Sequence, residues 1–123
     1  WGGDVDKFVG DELVATFDDE GDHAEGMVAR AAGCAYEIQQ RIEELNKEYP
    51  DAAIGVGIGI NTGQVVLGAM GSEARMDYTV LGDNVNVAAR LCSAAEAHQI
   101  ILSEASYEQI RGRKLIPRRV RLP

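Results

Sequence analysis

The sequence is poor in cysteine, proline and aromatic side chains, contains no long apolar run, and carries too few cations to balance its acids. Its two cysteines, Cys34 and Cys92, stand far apart and outside any CxxC or Cys/His cluster. That usage argues against a disulfide framework or a cysteine-built metal site, and points to small buried thiols in a reducing, cytoplasmic setting. No apolar stretch approaches the roughly 18–20 residues of a membrane span, and no signal peptide is recognisable. His23 and His98 are isolated, with no partner pattern for metal binding or catalysis. Twelve Lys+Arg face 20 Asp+Glu, a net charge of −8. All of the acids lie at or before Glu108, while Arg111, Arg113, Lys114, Arg118, Arg119 and Arg121 form a basic tail. An acidic body repels nucleic acid, whose affinity for proteins comes mainly from neutralised phosphates. With 123 residues, 46% hydrophobic and 26% charged, the composition fits a single folded domain. The chain begins at Trp1 rather than Met, and is expected to be a piece of a longer protein.

What is present has clear periodicity. Two short apolar runs flank Gly10-Asp11, a hairpin signal within residues 5–17. Asp22 and Glu25 form a capping-box-like pair ahead of a helix whose apolar stripe is Met27, Ala31, Cys34, Ile38, Ile42 and Leu45. Pro50 lies just beyond its end. Residues 52–60 alternate Ile54, Val56, Ile58 and Ile60 with Gly55, Gly57 and Gly59, which predicts a strand with a helix packed closely on its glycine face. A turn at Asn61-Thr62-Gly63 and a strand over 64–68 predict an antiparallel hairpin with it, followed by a polar loop over 71–75 and a short strand over 78–81. Asp83 is the expected N-cap of a helix that buries Val85, Ala88, Ala89, Cys92 and Ala95. A strand at 100–102, a small helix capped by Ser103 and an edge strand over 115–120, limited by Pro117, complete the order β-β-α-β-β-β-α-β-α-β. That order predicts an α+β sandwich, a mainly antiparallel sheet covered by helices.

Two features could carry chemistry. Lys7 and Asp11 flank the tip of the first hairpin, and one exposed carboxylate beside a glycine suits Mg²⁺ shared with substrate phosphates; the same Asp11 also reads as an ordinary solvated turn residue. Asn86 and Arg90 lie four apart, hence on one helix face, where a guanidinium fork can reach a phosphate and an amide a sugar oxygen. Taken alone, Asn86 and Arg90 also read as two ordinary exposed polar residues.

Together with their surroundings they become specific. Lys7-Phe8-Val9-Gly10-Asp11-Glu12-Leu13-Val14-Ala15 resembles the K-F-x-G-D-x-x-x-A hairpin of class III adenylate/guanylate cyclases. Residues 57–63, GIGINTG, resemble that family's central strand and turn, and residues 75–91, RMDYTVLGDNVNVAARL, are similar to its R-x-D-Y-T-V-x-G-D-x-V-N-x-A-A-R-L signature. The resemblance is collinear from Gly2 to about Glu108. It implies a ferredoxin-like, palm-type sheet covered by helices, with residues 1–123 a partial, N-terminally truncated catalytic domain. It implies conversion of a nucleoside triphosphate to a 3′,5′-cyclic monophosphate and pyrophosphate, assisted by two divalent metal ions, Mg²⁺ or Mn²⁺. By matching position, Asp11 is implied as a metal ligand, Asn86 as the ribose-orienting residue and Arg90 as the stabiliser of α-phosphoryl charge. Lys7 and Thr79 match the purine-selecting pair in its adenine-accepting form, so ATP is the implied substrate. Threonine at position 79 also resembles a subgroup that includes bicarbonate-responsive cyclases. The implied partner is a second copy in a head-to-tail homodimer that shares the site, with membrane attachment only through segments outside this chain.

The family's first metal aspartate belongs to an F-x-D-x-x-x-F type motif that nothing here matches, so this piece by itself is expected to be inactive or nearly so. Three other readings stay open: a guanylate cyclase, opposed by Lys7; a degenerate cyclase-like dimerisation or regulatory module, opposed by the presence of all five site residues; and a diguanylate cyclase, suggested by Gly2-Gly3-Asp4 and Gly10-Asp11-Glu12.

Overall fold

The computed structural model describes residues 1–18, 26–72 and 75–111, with the backbone alone at 69–72 and 75–79. The elements are β1 (Asp4–Val9), β2 (Glu12–Thr16), α1 (Met27–Glu48), β3 (Ile58–Ile60), β4 (Val66–Ser72), β5 (Arg75–Leu81), α2 (Asp83–Ala94), β6 (Ile100–Leu102) and α3 (Glu104–Ile110), with a 3₁₀ turn at Pro50–Ala52. The expected element order holds across the described residues. The Asp22/Glu25 capping pair and the strand over 115–120 lie outside them.

Three two-stranded sheets are present among the described residues, β1–β2, β3–β6 and β4–β5. The first and last are antiparallel and the middle one is parallel. β1 and β2 join through Gly10-Asp11, with Val9 opposite Glu12. Gly10 has φ +60°, the sign required at the first position of a type II′ loop and one a side chain would resist. The ladder shifts register between Val5 and Lys7, so Asp6 is an extra residue in β1, a bulge that re-aims the strand from Lys7 onward.

The expected β3–β4 hairpin is not found among the described pairings. β3 pairs with β6 in parallel, Ile58 to Ile100 through Ile60 to Leu102, and β4 pairs with β5. The turn after β3 is held by a helix rather than by a returning strand. The Asn61 amide donates to the Asn84 carbonyl at 2.9 Å, and the Asn84 amide donates to the Gln64 carbonyl at 2.8 Å. β4, β5 and α2 then form the long crossover that a parallel pair needs. The polar loop expected over 71–75 is much shorter, because the β4–β5 ladder runs on to Ser72 opposite Arg75.

The glycine face of β3 and the residues before it packs against a helix, as the alternation implied. A Cβ on Gly59 would stand 2.7 Å from the Ala88 carbonyl oxygen and 2.8 Å from Leu91 Cβ, and one on Gly57 would stand 2.8 Å from Ala95 Cβ. α2 therefore lies almost backbone to backbone on β3. Its N-cap is Gly82, with no side-chain cap; Asp83 is the first helical residue, where its charge favours the helix dipole instead.

The core differs from the expected stripe. Val28, Ala29 and Ala32 of α1 are buried with Ile110 of α3, flanked by Met27, Ile60 and Leu102. Ile38 and Leu45 of the predicted stripe remain 40% and 44% exposed. The buried face is turned by about one residue, because small alanines let α1 approach α3 and β3 where larger side chains would hold it off.

Ser103 caps α3 as expected, accepting from the Ser106 backbone N–H at 3.3 Å. The fully buried Ser106 hydroxyl is 2.7 Å from that of Thr62, which ties α3 to the turn after β3. Ser103→Ala is expected to cost about 1 kcal/mol and to lower the thermal midpoint by about 4 °C. An unchanged midpoint in thermal unfolding would contradict this capping role.

Candidate active site

The five residues singled out from the sequence occupy three elements and one turn. Lys7 lies in β1 and Asp11 at the hairpin tip, Thr79 in β5, and Asn86 and Arg90 in α2. The structure brings Lys7 to β5: its Nζ donates to the Val80 carbonyl at 3.1 Å, one residue from Thr79. Val80 is itself buried, so this end of the strand is a firm anchor. The Asp6 carboxylate lies 3.8 Å from the Lys7 ammonium and is 9% exposed, against 28% for Lys7. The bulge in β1 is what places a carboxylate beside that lysine, a feature with no signal in local sequence.

α2 begins after Gly82 alone separates it from β5, so Thr79 and the helix carrying Asn86 and Arg90 are held close in the chain. Asn86 and Arg90 are exposed on one side of α2, one turn apart, while Val85, Ala88, Ala89 and Cys92 are half-buried. The amide pair Asn61–Asn84 locks the first turn of α2 to the end of β3 and so orients this face. Sequence reasoning missed that pair; an asparagine two positions from a glycine at each place, Asn61 before Gly63 and Asn84 after Gly82, was the available signal.

Asp11 is exposed at the hairpin tip, which lies within electrostatic reach of α2. Burial pushes the Cys92 thiol up, and the Glu12 and Asp11 carboxylates push the same way, against a lowering by the Gly59 backbone. Cys92 accordingly stays protonated at neutral pH, and its thiol lies 3.4 Å from the Gly57 carbonyl as a packing contact between α2 and the chain leading into β3.

Among the described residues no hydrogen bond or ion pair joins Asp11, Asn86 or Arg90 to Lys7 or to one another. Nor do three or more His, Cys, Asp or Glu residues gather there as a metal cage. A single exposed carboxylate fits a divalent ion shared with substrate phosphates, not one caged by protein alone. A cleft of about 550 Å³ lies elsewhere, lined by Tyr36, Gln39, Gln40, Glu43, Asn46, Lys47 and His98 and by none of the five residues. Chemistry, not concavity, marks the candidate site in one copy of the chain.

A family model for the adenylate and guanylate cyclase catalytic domain matches residues 6–119. The chain belongs to that family. The cyclase domain is 40% identical over 97 residues to an adenylate cyclase from Anabaena cylindrica, covering 73% of this chain and 18% of that protein. It is similar to the crystal structure of the adenylyl cyclase CyaB from P. aeruginosa, with 35% identity, a TM-score of 0.76 and coverage of 89% of this chain and 59% of that one. It is also similar to the crystal structure of the guanylyl cyclase Cya2, with 35% identity, a TM-score of 0.79 and coverage of 91% and 58%. The cyclase domain thus spans under a fifth of the curated relative and under two thirds of either crystallised chain. Its fold is that of class III cyclase catalytic domains, the palm-type α+β architecture that the motifs implied. Among the described residues, no helix is long and apolar enough to cross a membrane.

Proposed function

We propose that the cyclase domain forms 3′,5′-cyclic AMP and pyrophosphate from ATP. The observation that carries the choice of base is the Lys7 ammonium held 3.1 Å from the Val80 carbonyl, immediately beside Thr79. A lysine donor fits an unprotonated ring nitrogen of adenine, and a threonine hydroxyl can donate or accept at the neighbouring edge. The ribose 3′-oxygen attacks the α-phosphorus, the bond to the β,γ-diphosphate breaks, and the 3′-hydroxyl proton is lost. Asn86 holds the ribose so that this oxygen lies in line, and the Arg90 guanidinium stabilises charge gathering on the α-phosphoryl oxygens. Two divalent ions, Mg²⁺ or Mn²⁺, with Asp11 supplying one carboxylate, would activate the attacking oxygen and neutralise phosphate charge.

The partner in this reading is a second copy, arranged head to tail. Asn86, Arg90 and Asp11 are exposed, and among the described residues they are unjoined in one copy. The hairpin also presents Phe8, Val5, Val9 and Leu13 at 76%, 62%, 53% and 52% exposure, an apolar surface suited to burial against another protomer.

The similarity to guanylyl cyclase Cya2 makes GTP the second substrate to test. In the protein expressed at full length, kcat/KM for ATP is expected to exceed that for GTP by about 10²-fold or more, because a mismatched base leaves buried polar groups unpaired. Equal turnover, or a preference for GTP, would overturn the adenylate assignment. Turnover of neither would overturn the enzymatic one.

A further inference from the structure

Lys7 and Asp11 sit on a two-stranded ribbon, and such a ribbon has little stability or fixed orientation by itself. Besides the Lys7–Val80 bond, what fixes this one is found at its open end. Arg30 of α1 is only 5% exposed. One guanidinium nitrogen donates to the Trp1 and Gly2 carbonyls at 3.3 and 3.4 Å, and the other donates to the Asp18 carbonyl. Trp1 and Gly2 precede β1, and Asp18 lies just past β2, so one side chain grips both ends of the hairpin. The guanidinium also lies 5.9 Å from the centre of the Phe17 ring. Two further contacts come from the same side of α1: the Trp1 indole N–H donates to Glu37, and the Trp1 ring rests on Gly33.

From this geometry we infer that Arg30 is a positioning residue for the reaction: its buried fork sets the angle at which the hairpin presents Lys7 and Asp11. Burying a guanidinium carries a desolvation cost, and an apolar side chain could fill the same space. What the arginine adds is a planar set of donors that a lysine cannot reproduce. Leverage makes the angle matter. The hairpin tip is about six strand residues from the clamp, roughly 20 Å, so a rotation of about 3° at the base moves Asp11 by about 1 Å. A misplacement of that size is enough to cost about 10²-fold in rate.

The activity arm of the test rests on the cyclase reading, and the second arm does not. Arg30→Lys and Arg30→Gln in the full-length protein are compared with the parent. Arg30→Lys, which keeps the charge, is expected to leave the thermal midpoint within a few degrees. It should lower kcat by about tenfold or more, raise the half-saturating concentration of Mg²⁺ or Mn²⁺, and narrow the preference for ATP over GTP. Arg30→Gln should move these quantities further in the same order. In both variants amide hydrogen exchange should quicken over residues 4–18 while α2 and α3 keep their protection. Unchanged exchange over 4–18, or exchange quickened equally across α2 and α3, would overturn the inference. So would a rate loss that tracks the thermal midpoint while the metal dependence and base preference stay fixed. If the parent protein turns over neither nucleotide, the cyclase reading falls, and the positioning role for that reaction falls with it; the exchange measurement still decides whether Arg30 clamps the hairpin.

Discussion

Arg90→Ala in the full-length protein is expected to lower the rate of cyclic nucleotide formation by about 10²–10³-fold, with little change in stability. Arg90 is exposed on α2, so its removal leaves no cavity and strands no buried charge. In the proposed reaction its contribution would be made in the transition state, where negative charge gathers on the transferring phosphoryl group. The loss should therefore fall on kcat more than on KM. The measurement is steady-state turnover of ATP by wild-type and variant proteins with matched thermal midpoints. A variant within threefold of wild type would remove Arg90 from the reaction. The same variant tests the shared site. Co-assembled with Asp11→Ala, it should regain part of the activity that each lacks alone, because one of the two sites in a head-to-tail pair then receives an intact Asp11 and an intact Arg90. No recovery in verified mixed dimers would place the whole site within one copy.

Gly59→Ala is expected to be the most damaging small substitution. The added Cβ would meet the Ala88 carbonyl oxygen at 2.7 Å and the Leu91 Cβ at 2.8 Å, with the Cys92 backbone nitrogen closer still. Two of these three neighbours are helix backbone and cannot rotate aside. Either α2 lifts from β3 or the strand bends, at a cost of about 3 kcal/mol and a thermal midpoint lower by about 10 °C. Activity should fall further than stability explains, because α2 carries Asn86 and Arg90 and they move with it. A midpoint unchanged by this methyl group would show that α2 is not seated on β3.

The parts of the fold legible in the sequence are those fixed by neighbouring residues. Gly10-Asp11 between two apolar runs specifies a hairpin, and Ser103 specifies the start of α3. The spacing of Asn86 and Arg90 puts both on one exposed helix face. The three glycines before Asn61 imply close packing of a helix, and α2 is that helix. The failures are of another kind. Two strand-like runs around a turn predict a hairpin over residues 52–68, yet β3 takes β6 as its partner. Periodicity makes the large apolar residues of α1 its expected buried face, yet the alanines beside them make the close contact. Asp83 has the side chain of a good cap, but the chain places Gly82 in that position.

By itself, then, the sequence determined the order of the elements, the motifs that mark a cyclase domain, and the identities of Lys7, Asp11, Thr79, Asn86 and Arg90 as candidates for its chemistry. These depend on periodicity, turn chemistry and residue type, all readable over a few positions. Only the tertiary structure decided that β3 and β6 run in parallel, that Lys7 reaches Val80 across 73 positions, and that Arg30 holds both ends of the hairpin. A buried cation looks like any other arginine until its surroundings exclude water, and a bulge looks like any other strand until its partner is in place. Such features are set by contacts between distant segments, whose free energy appears only once the chain has closed the loops between them.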